Sequence, residues 1–411
     1  MRLVVRLKEK LKLELMLIRT RHRILLLLLA LPLLHSCCRH NKIGIEEERA
    51  ISLNVSSTGT KAVVGSLTDM VNQCYNGDNR ISGAGFGVYG YKKQADNTSA
   101  RLFNDILVQP TSKTESPSWE YTPTRYWDSN PAVSYQFIAY WPYLTNDPDE
   151  LNDPSDPYVS VPEAVNGDYS SKVLTIHNIP NWQPVDGSEM DFMTAVATGK
   201  YRSSDQNEAL AFSDGTVRFS FSHLLSQVRI EAYSVGTSAP VYIKSLTLNE
   251  SSAGNDVLAG SGASTDFRQA YNDSYAQPLE QPDVPVAGEN YLDLTSSTTL
   301  LSGANIHIQY VNELEDNPTT VYTPLGHWLV VPHKWQNLVL TINRKIGDGG
   351  TFEDREATIT LGAANDYKIL AGKKYVITLV FDTTNGGIKV ASVAVKDWDE
   401  PEEENREVYN W

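Results

Sequence analysis

Beyond residue 50 the chain repeatedly places an apolar side chain at every second position, and this period limits its folding more than any other feature. Ile51, Leu53 and Val55 alternate with Ser52, Asn54 and Ser56; Val217, Phe219 and Phe221 alternate with Arg218, Ser220 and Ser222. Leu338, Leu340 and Ile342 repeat the pattern, as do Tyr375, Ile377, Leu379 and Phe381. A period of two puts one face of an extended strand in the core and the other in water, the habit of antiparallel sheets. Helical periodicity is scarce over the same region. The expected fold class is all-β.

Turn residues punctuate the strands. Gly347-Asp348-Gly349-Gly350 separates two strand-like runs, and Asn385-Gly386-Gly387 separates the next two, so the C-terminal half reads as successive hairpins. One place breaks the parity. Buried positions are odd through Phe221 but even at Val228, Ile230 and Ala232, so His223-Leu224-Leu225-Ser226 must hold a kink, a bulge or a short helical turn. Thr145–Pro157 and Ser251–Asp283 read as surface loops, and residues 233–240 as an inter-domain hinge.

The N-terminus is of another kind. Arg19, Arg21 and Arg23 precede an eleven-residue apolar run, Ile24–Leu34, that is interrupted by Pro32. A membrane-spanning helix needs roughly 20 apolar residues, so this run fits the short core of a secretory signal instead. Leu34-His35-Ser36-Cys37 resembles the lipobox of bacterial lipoproteins, which makes Cys37 the acylation candidate and Cys38 the second choice. The alternative is an ordinary cleaved signal with incidental cysteines. Translation could start at Met1 or at Met16.

The expected organisation is a lipoprotein-type signal peptide over 1–36, a lipidated linker over 37–49, and two all-β domains over 50–233 and 234–411. Residues 1–36 hold eight Lys/Arg and two Asp/Glu, which leaves 27 basic and 48 acidic side chains, a formal charge of −21. Such a chain is repelled by phosphate backbones, so no nucleic-acid partner is expected. With Cys37 and Cys38 set aside only Cys74 is left, and no intrachain disulfide framework exists.

Several motifs weaken on inspection. Gly85-Phe-Gly87-Val-Tyr-Gly90 matches G-x-G-x-x-G by letter, but no amphipathic helix follows it to present an N-terminus to a pyrophosphate. It reads as a glycine-rich strand. Asp147, Asp149, Asp153 and Asp156 could suit a hard cation, yet the loop lacks an EF-hand's glycine and closing glutamate and reads better as solvated. His327 and His333 have no cysteine or H-E-x-x-H frame around them, and no G-x-S-x-G elbow occurs. Neither a metal, a cofactor nor a catalytic residue is expected, and the chain reads as a non-enzyme. Trp119, Tyr121, Tyr126 and Trp127 are either core aromatics or a sugar-stacking platform.

Six stretches in order resemble the fimbrillin family of Bacteroidota pilins: FIAYWPY at 137–143, FMTAVATG at 192–199, VRFSFSHLLSQVRIEAY at 217–233, WLVVPH at 328–333, AGKKYVITLVFD at 371–382 and VAVKDW at 393–398. The resemblance implies two tandem transthyretin-like β-sandwich domains in a lipoprotein directed to the outer membrane. It implies a structural subunit of surface fimbriae that serve adhesion and biofilm formation. It also implies the partners: other pilin subunits, a maturation protease, the outer membrane through the lipid, and a surface receptor left unidentified.

The implied assembly is donor-strand exchange. A trypsin-like protease cuts the precursor after its first strand, the strand leaves, and a strand of the next subunit fills the apolar groove. Here the first strand is read as Ala50–Ser57, with Ile51, Leu53 and Val55 inward and worth on the order of 5–9 kcal/mol together. A cut after Lys61 would free the strand with its lipid, whereas a cut after Arg49 would release only the anchor. Ile388–Trp398 is the donor candidate, and the acidic run after Trp398 reads as a solvated tail. A glycan-binding lipoprotein of the same fold is the second reading, and a hydrolase with unidentified carboxylates a distant third.

Overall fold

The computed structural model describes most of the chain between residues 49 and 397. Outside that description lie residues 1–48, 57–66, 162–171, 250–263, 272–276, 279–297, 313–321, 333–336, 361–368 and 398–411, and shorter stretches at 186–188, 204 and 206–208. The signal segment, Cys37, Cys38, Lys61 and the acidic tail therefore fall beyond it. The regular structure of the described residues is nearly all strand, as the period of two predicts. Their one α-helix is the short Leu67–Gln73.

The largest sheet has six strands, in the order Ser222–His223, Met193–Gly199, Ser134–Trp141, Phe86–Lys93, Ser99–Pro110 and Trp119–Tyr121. Both faces of its centre are covered. On one face Phe86, Phe137 and Trp141 join Leu53, Val217 and Phe219 in a core; on the other, Tyr89, Ile138 and Tyr140 join Leu174, Ile176 and Phe267. This accounts for the unbroken apolar run FIAYW in place of alternation, because a strand covered on both sides has no wet face.

Two glycines of the G-x-G-x-x-G match, Gly87 and Gly90, belong to this sheet. Gly87 lies opposite Tyr140 and Gly90 opposite Phe137. A Cβ on Gly87 would come within 2.1 Å of the Tyr140 ring, and one on Gly90 within 2.6 Å of the Phe137 ring. The missing side chains are room for aromatic rings on the neighbouring strand. The motif is structural.

A four-stranded sheet, Gln277–Pro278, Ser264–Ala270, Val173–Pro180 and Tyr158–Ser160, supplies the second cover. Two further sheets enclose a separate core that contains Ile230, Leu246, Ile342 and Ile377. One runs Trp182–Pro184, Thr323–Val330, Ser226–Val235, Lys373–Asp382 and Gly387–Asp397. The other runs Thr298–Leu301, Val241–Asn249, Asn337–Ile346 and Glu353–Thr360, with Ile306–Ile308 also paired to Val241–Asn249. The two glycine-rich turns do join antiparallel neighbours. One expectation needs correcting. Lys373–Asp382 has no wet face, since Val376, Thr378 and Val380 are buried along with Tyr375, Ile377 and Leu379.

The parity switch marks a change of sheet. Ser222–His223 closes the six-stranded sheet and Ser226–Val235 runs through the middle of the later one. Between them the Leu224 N–H donates to the Phe192 carbonyl, and the Leu225 carbonyl accepts from Gly372 N–H. Strand pairing also crosses the 233/234 boundary in both directions: Ser264–Ala270 pairs with Val173–Pro180, and Trp182–Pro184 with Thr323–Val330.

Candidate functional site: the seat of the first strand

The first strand is Ser52–Val55, shorter than the eight residues read from the sequence. It pairs in parallel with Thr216–Phe219, Leu53 opposite Val217 and Val55 opposite Phe219. Its alternation predicts which side chains turn inward. Ile51 and Leu53 are buried, whereas Val55 is only half-buried against the same core. The two buried side chains stabilise the seated strand by about 3–6 kcal/mol, less than three would.

The strand is held along both edges. On one, Ser52 N–H donates to the Gly215 carbonyl at 2.9 Å and Ser56 N–H to the Phe219 carbonyl at 2.8 Å. On the other, Ile51 N–H donates to the Arg125 carbonyl at 2.8 Å, Ala50 bridges Tyr126, and the Tyr121 hydroxyl donates to the Ile51 carbonyl at 2.7 Å. Burial pushes the Tyr121 hydroxyl above its ordinary range, so it remains a donor at neutral pH. Removing the strand would leave backbone groups on two sides of an apolar trough unpaired, which is the condition for adding another strand.

The four aromatics belong to this seat. Trp119 is 7% exposed, with its ring 5.0 Å from Phe86. Trp127, 4% exposed, stacks on Tyr201 and Phe212 and donates its indole N–H to the Gly215 carbonyl that also receives Ser52. Both tryptophan faces are covered, so the sugar-stacking platform is not formed in this structure. Only Tyr126 is well exposed, at 47%. Cys74 lies buried in the same core, and burial pushes its thiol up to about 12, so it serves as an inert apolar side chain.

Arg49 is exposed immediately before the seat, and Lys61 lies outside the described residues. The donor candidate Ile388–Trp398 is almost entirely within Gly387–Asp397, the outermost strand of its sheet, paired along its length with Lys373–Asp382. The acidic loop spends its carboxylates on its own backbone. Asp147 accepts from Asp149 N–H, Asp153 from Ser155, and Asp156 from Asp153 N–H. Among the described residues no three metal-binding side chains converge. Sequence reasoning missed Tyr121's contact with Ile51 and the parallel partner at 216–219. No local signal encodes either, since both join residues far apart in the chain.

A family model described as fimbrillin-like matches residues 75–398. No curated protein matches the chain. Among solved structures, a fimbrial protein from Bacteroides vulgatus is 15% identical with a TM-score of 0.49, covering 85% of this chain and 99% of that one. A candidate cell adhesion protein from Bacteroides uniformis is 16% identical with a TM-score of 0.40, covering 86% and 99%. A candidate polysaccharide-binding protein from Bacteroides thetaiotaomicron is 11% identical with a TM-score of 0.31, covering 79% and 93%.

Proposed function

Because the chain belongs to the fimbrillin-like family, we propose that it is a fimbrial subunit or accessory pilin assembled by exchange of its first strand. The observation that carries this reading is the seat itself. A four-residue strand inserted in parallel, bonded on both edges and anchored by Ile51 and Leu53, can leave without dismantling the six-stranded sheet beside it. The precursor is exported as a lipoprotein acylated at Cys37, or else Cys38, and is held at the outer membrane. Cleavage after Lys61 frees the strand with its anchor, and cleavage after Arg49 frees the anchor alone. The incoming strand is residues 388–398 of another subunit, whose alternating Ile388 and Val390 already pack on a core in their own sheet. The role is structural, in adhesion and biofilm formation at the cell surface.

The test is limited digestion of the purified chain beginning at Cys38, with Arg-specific and Lys-specific proteases in parallel. Intact mass locates the cut, and an unboiled denaturing gel displays any ladder. A cut at Lys61 with concentration-dependent polymers is the expected result. A chain that stays monomeric after its first strand has been removed would overturn strand exchange.

A further inference from the structure

The four-stranded sheet carries an arrangement that plays no part in strand exchange. Ser160 Oγ lies 2.7 Å from His177 Nε2, and His177 Nδ1 lies 2.9 Å from Asp266 Oδ2. The three residues stand on three adjacent strands, Tyr158–Ser160, Val173–Pro180 and Ser264–Ala270. An ionised carboxylate can only accept, so the contact with Asp266 puts the imidazole proton on Nδ1. The Nε2 lone pair then faces Ser160 and accepts its hydroxyl proton. This is the tautomer and the order of atoms that convert a serine hydroxyl into a nucleophile.

The fold holds that order from several sides. Strand register slips between Thr265 and Phe267, so Asp266 alone faces both His177 and Asn178. Such an irregularity re-aims a side chain, and here it turns the carboxylate toward the imidazole. The second carboxylate oxygen accepts Asn178 N–H at 3.0 Å. Asn178 itself sits at φ 59 and ties its side chain to the Pro154 and Asp156 carbonyls. Burial works to raise the Asp266 pKa, but the bonds from His177 and Asn178 outweigh it and hold the carboxyl below its ordinary value. The Tyr158 ring stacks on the imidazole, 4.4 Å away and 16° from parallel.

The site is also reachable. Side-chain exposure is 21% for His177 and 37% for Asp266. Ser160 is half-buried on the outermost strand of its sheet. We propose that Ser160 is a nucleophile with His177 as its general base and Asp266 as the positioning residue, acting on small carboxylic esters. In the first step Ser160 Oγ bonds to the ester carbonyl carbon while its proton passes to His177 Nε2. The bond from that carbon to the alcohol oxygen then breaks, and the departing alcohol takes the proton. Water attacks the acyl-serine, gives a proton to Nε2, and the acid leaves as that proton returns to Ser160. Only water is consumed, and no electrons change hands.

The test uses the full chain, a fluorophosphonate probe and p-nitrophenyl acetate. Mass mapping is expected to find the phosphonyl adduct on Ser160 of the folded chain and not of the urea-denatured chain. Ser160→Ala should abolish the adduct, and His177→Gln should slow labelling and ester hydrolysis about 100-fold or more. Asp266→Asn should slow both and move the pH midpoint of labelling, which a purely structural contact would not do. Circular dichroism identifies any variant that fails to fold, and the wild-type adduct decides the matter without the variants. No adduct at Ser160 above the denatured control would overturn the proposal, as would equal labelling of a folded His177→Gln chain; the cluster would then be a clasp for the 145–157 loop.

Discussion

The Tyr121 hydroxyl donates to the carbonyl oxygen of Ile51 at 2.7 Å, fastening the first strand from the side opposite its β-ladder. The Tyr121 hydroxyl oxygen in turn accepts the Arg125 N–H at 3.3 Å, so one hydroxyl bridges two segments of the seat. Tyr121→Phe removes both contacts and leaves the ring in place. We expect a loss of about 1 kcal/mol with faster release of the strand, read by thermal unfolding and by the rate of polymer formation after proteolysis. Unchanged rates would mean that the ladder alone holds the strand.

Side chains of the first strand should rank by depth. Leu53→Ala is expected to cost about 2–5 kcal/mol, the range for emptying a buried leucine site. Val55→Ala, at a half-buried position, should cost clearly less. Denaturant titration of the uncleaved chain measures both, and equal losses would contradict the arrangement described.

A buried carboxylate should make stability pH-dependent. Asp105 accepts the Tyr140 hydroxyl at 2.6 Å, and burial raises its pKa to about 6 from an ordinary 3.8. A carboxyl that is easier to protonate when folded stabilises the fold most below the unfolded pKa. That contribution is lost as pH rises through about 6. The difference is on the order of 2–3 kcal/mol. Asp105→Asn should flatten stability between pH 4 and 7, a region where wild-type stability carries this falling component. Urea midpoints across that range decide it.

The glycines of the six-stranded sheet should resist any side chain. Gly90→Ala drives a methyl into the Phe137 ring and should cost about 1–3 kcal/mol, as overpacking does. Phe137→Leu should recover part of that loss in the double variant, because the two changes meet at one contact. Additive losses would show that the glycine is needed for another reason.

Much of this molecule is written locally. A period of two dictates strands, glycine clusters dictate the turns at 347–350 and 385–387, and the parity break at 223–226 marks where the chain changes sheet, because each depends on neighbours within a few residues. Even the inward choice of Ile51 and Leu53 follows from alternation. What the tertiary structure alone decided is which distant strands meet. The parallel pairing of 52–55 with 216–219, the second cover that buries both faces of Phe137–Trp141, and the rings that fill Gly87 and Gly90 are contacts between remote segments. Ser160, His177 and Asp266 are the extreme case. They carry no shared motif, and only a register slip between two strands brings a carboxylate from 89 residues away onto the imidazole. Hydrogen bonds between strands are made by the backbone, which is the same at every residue, so the period announces a strand while packing chooses its partner.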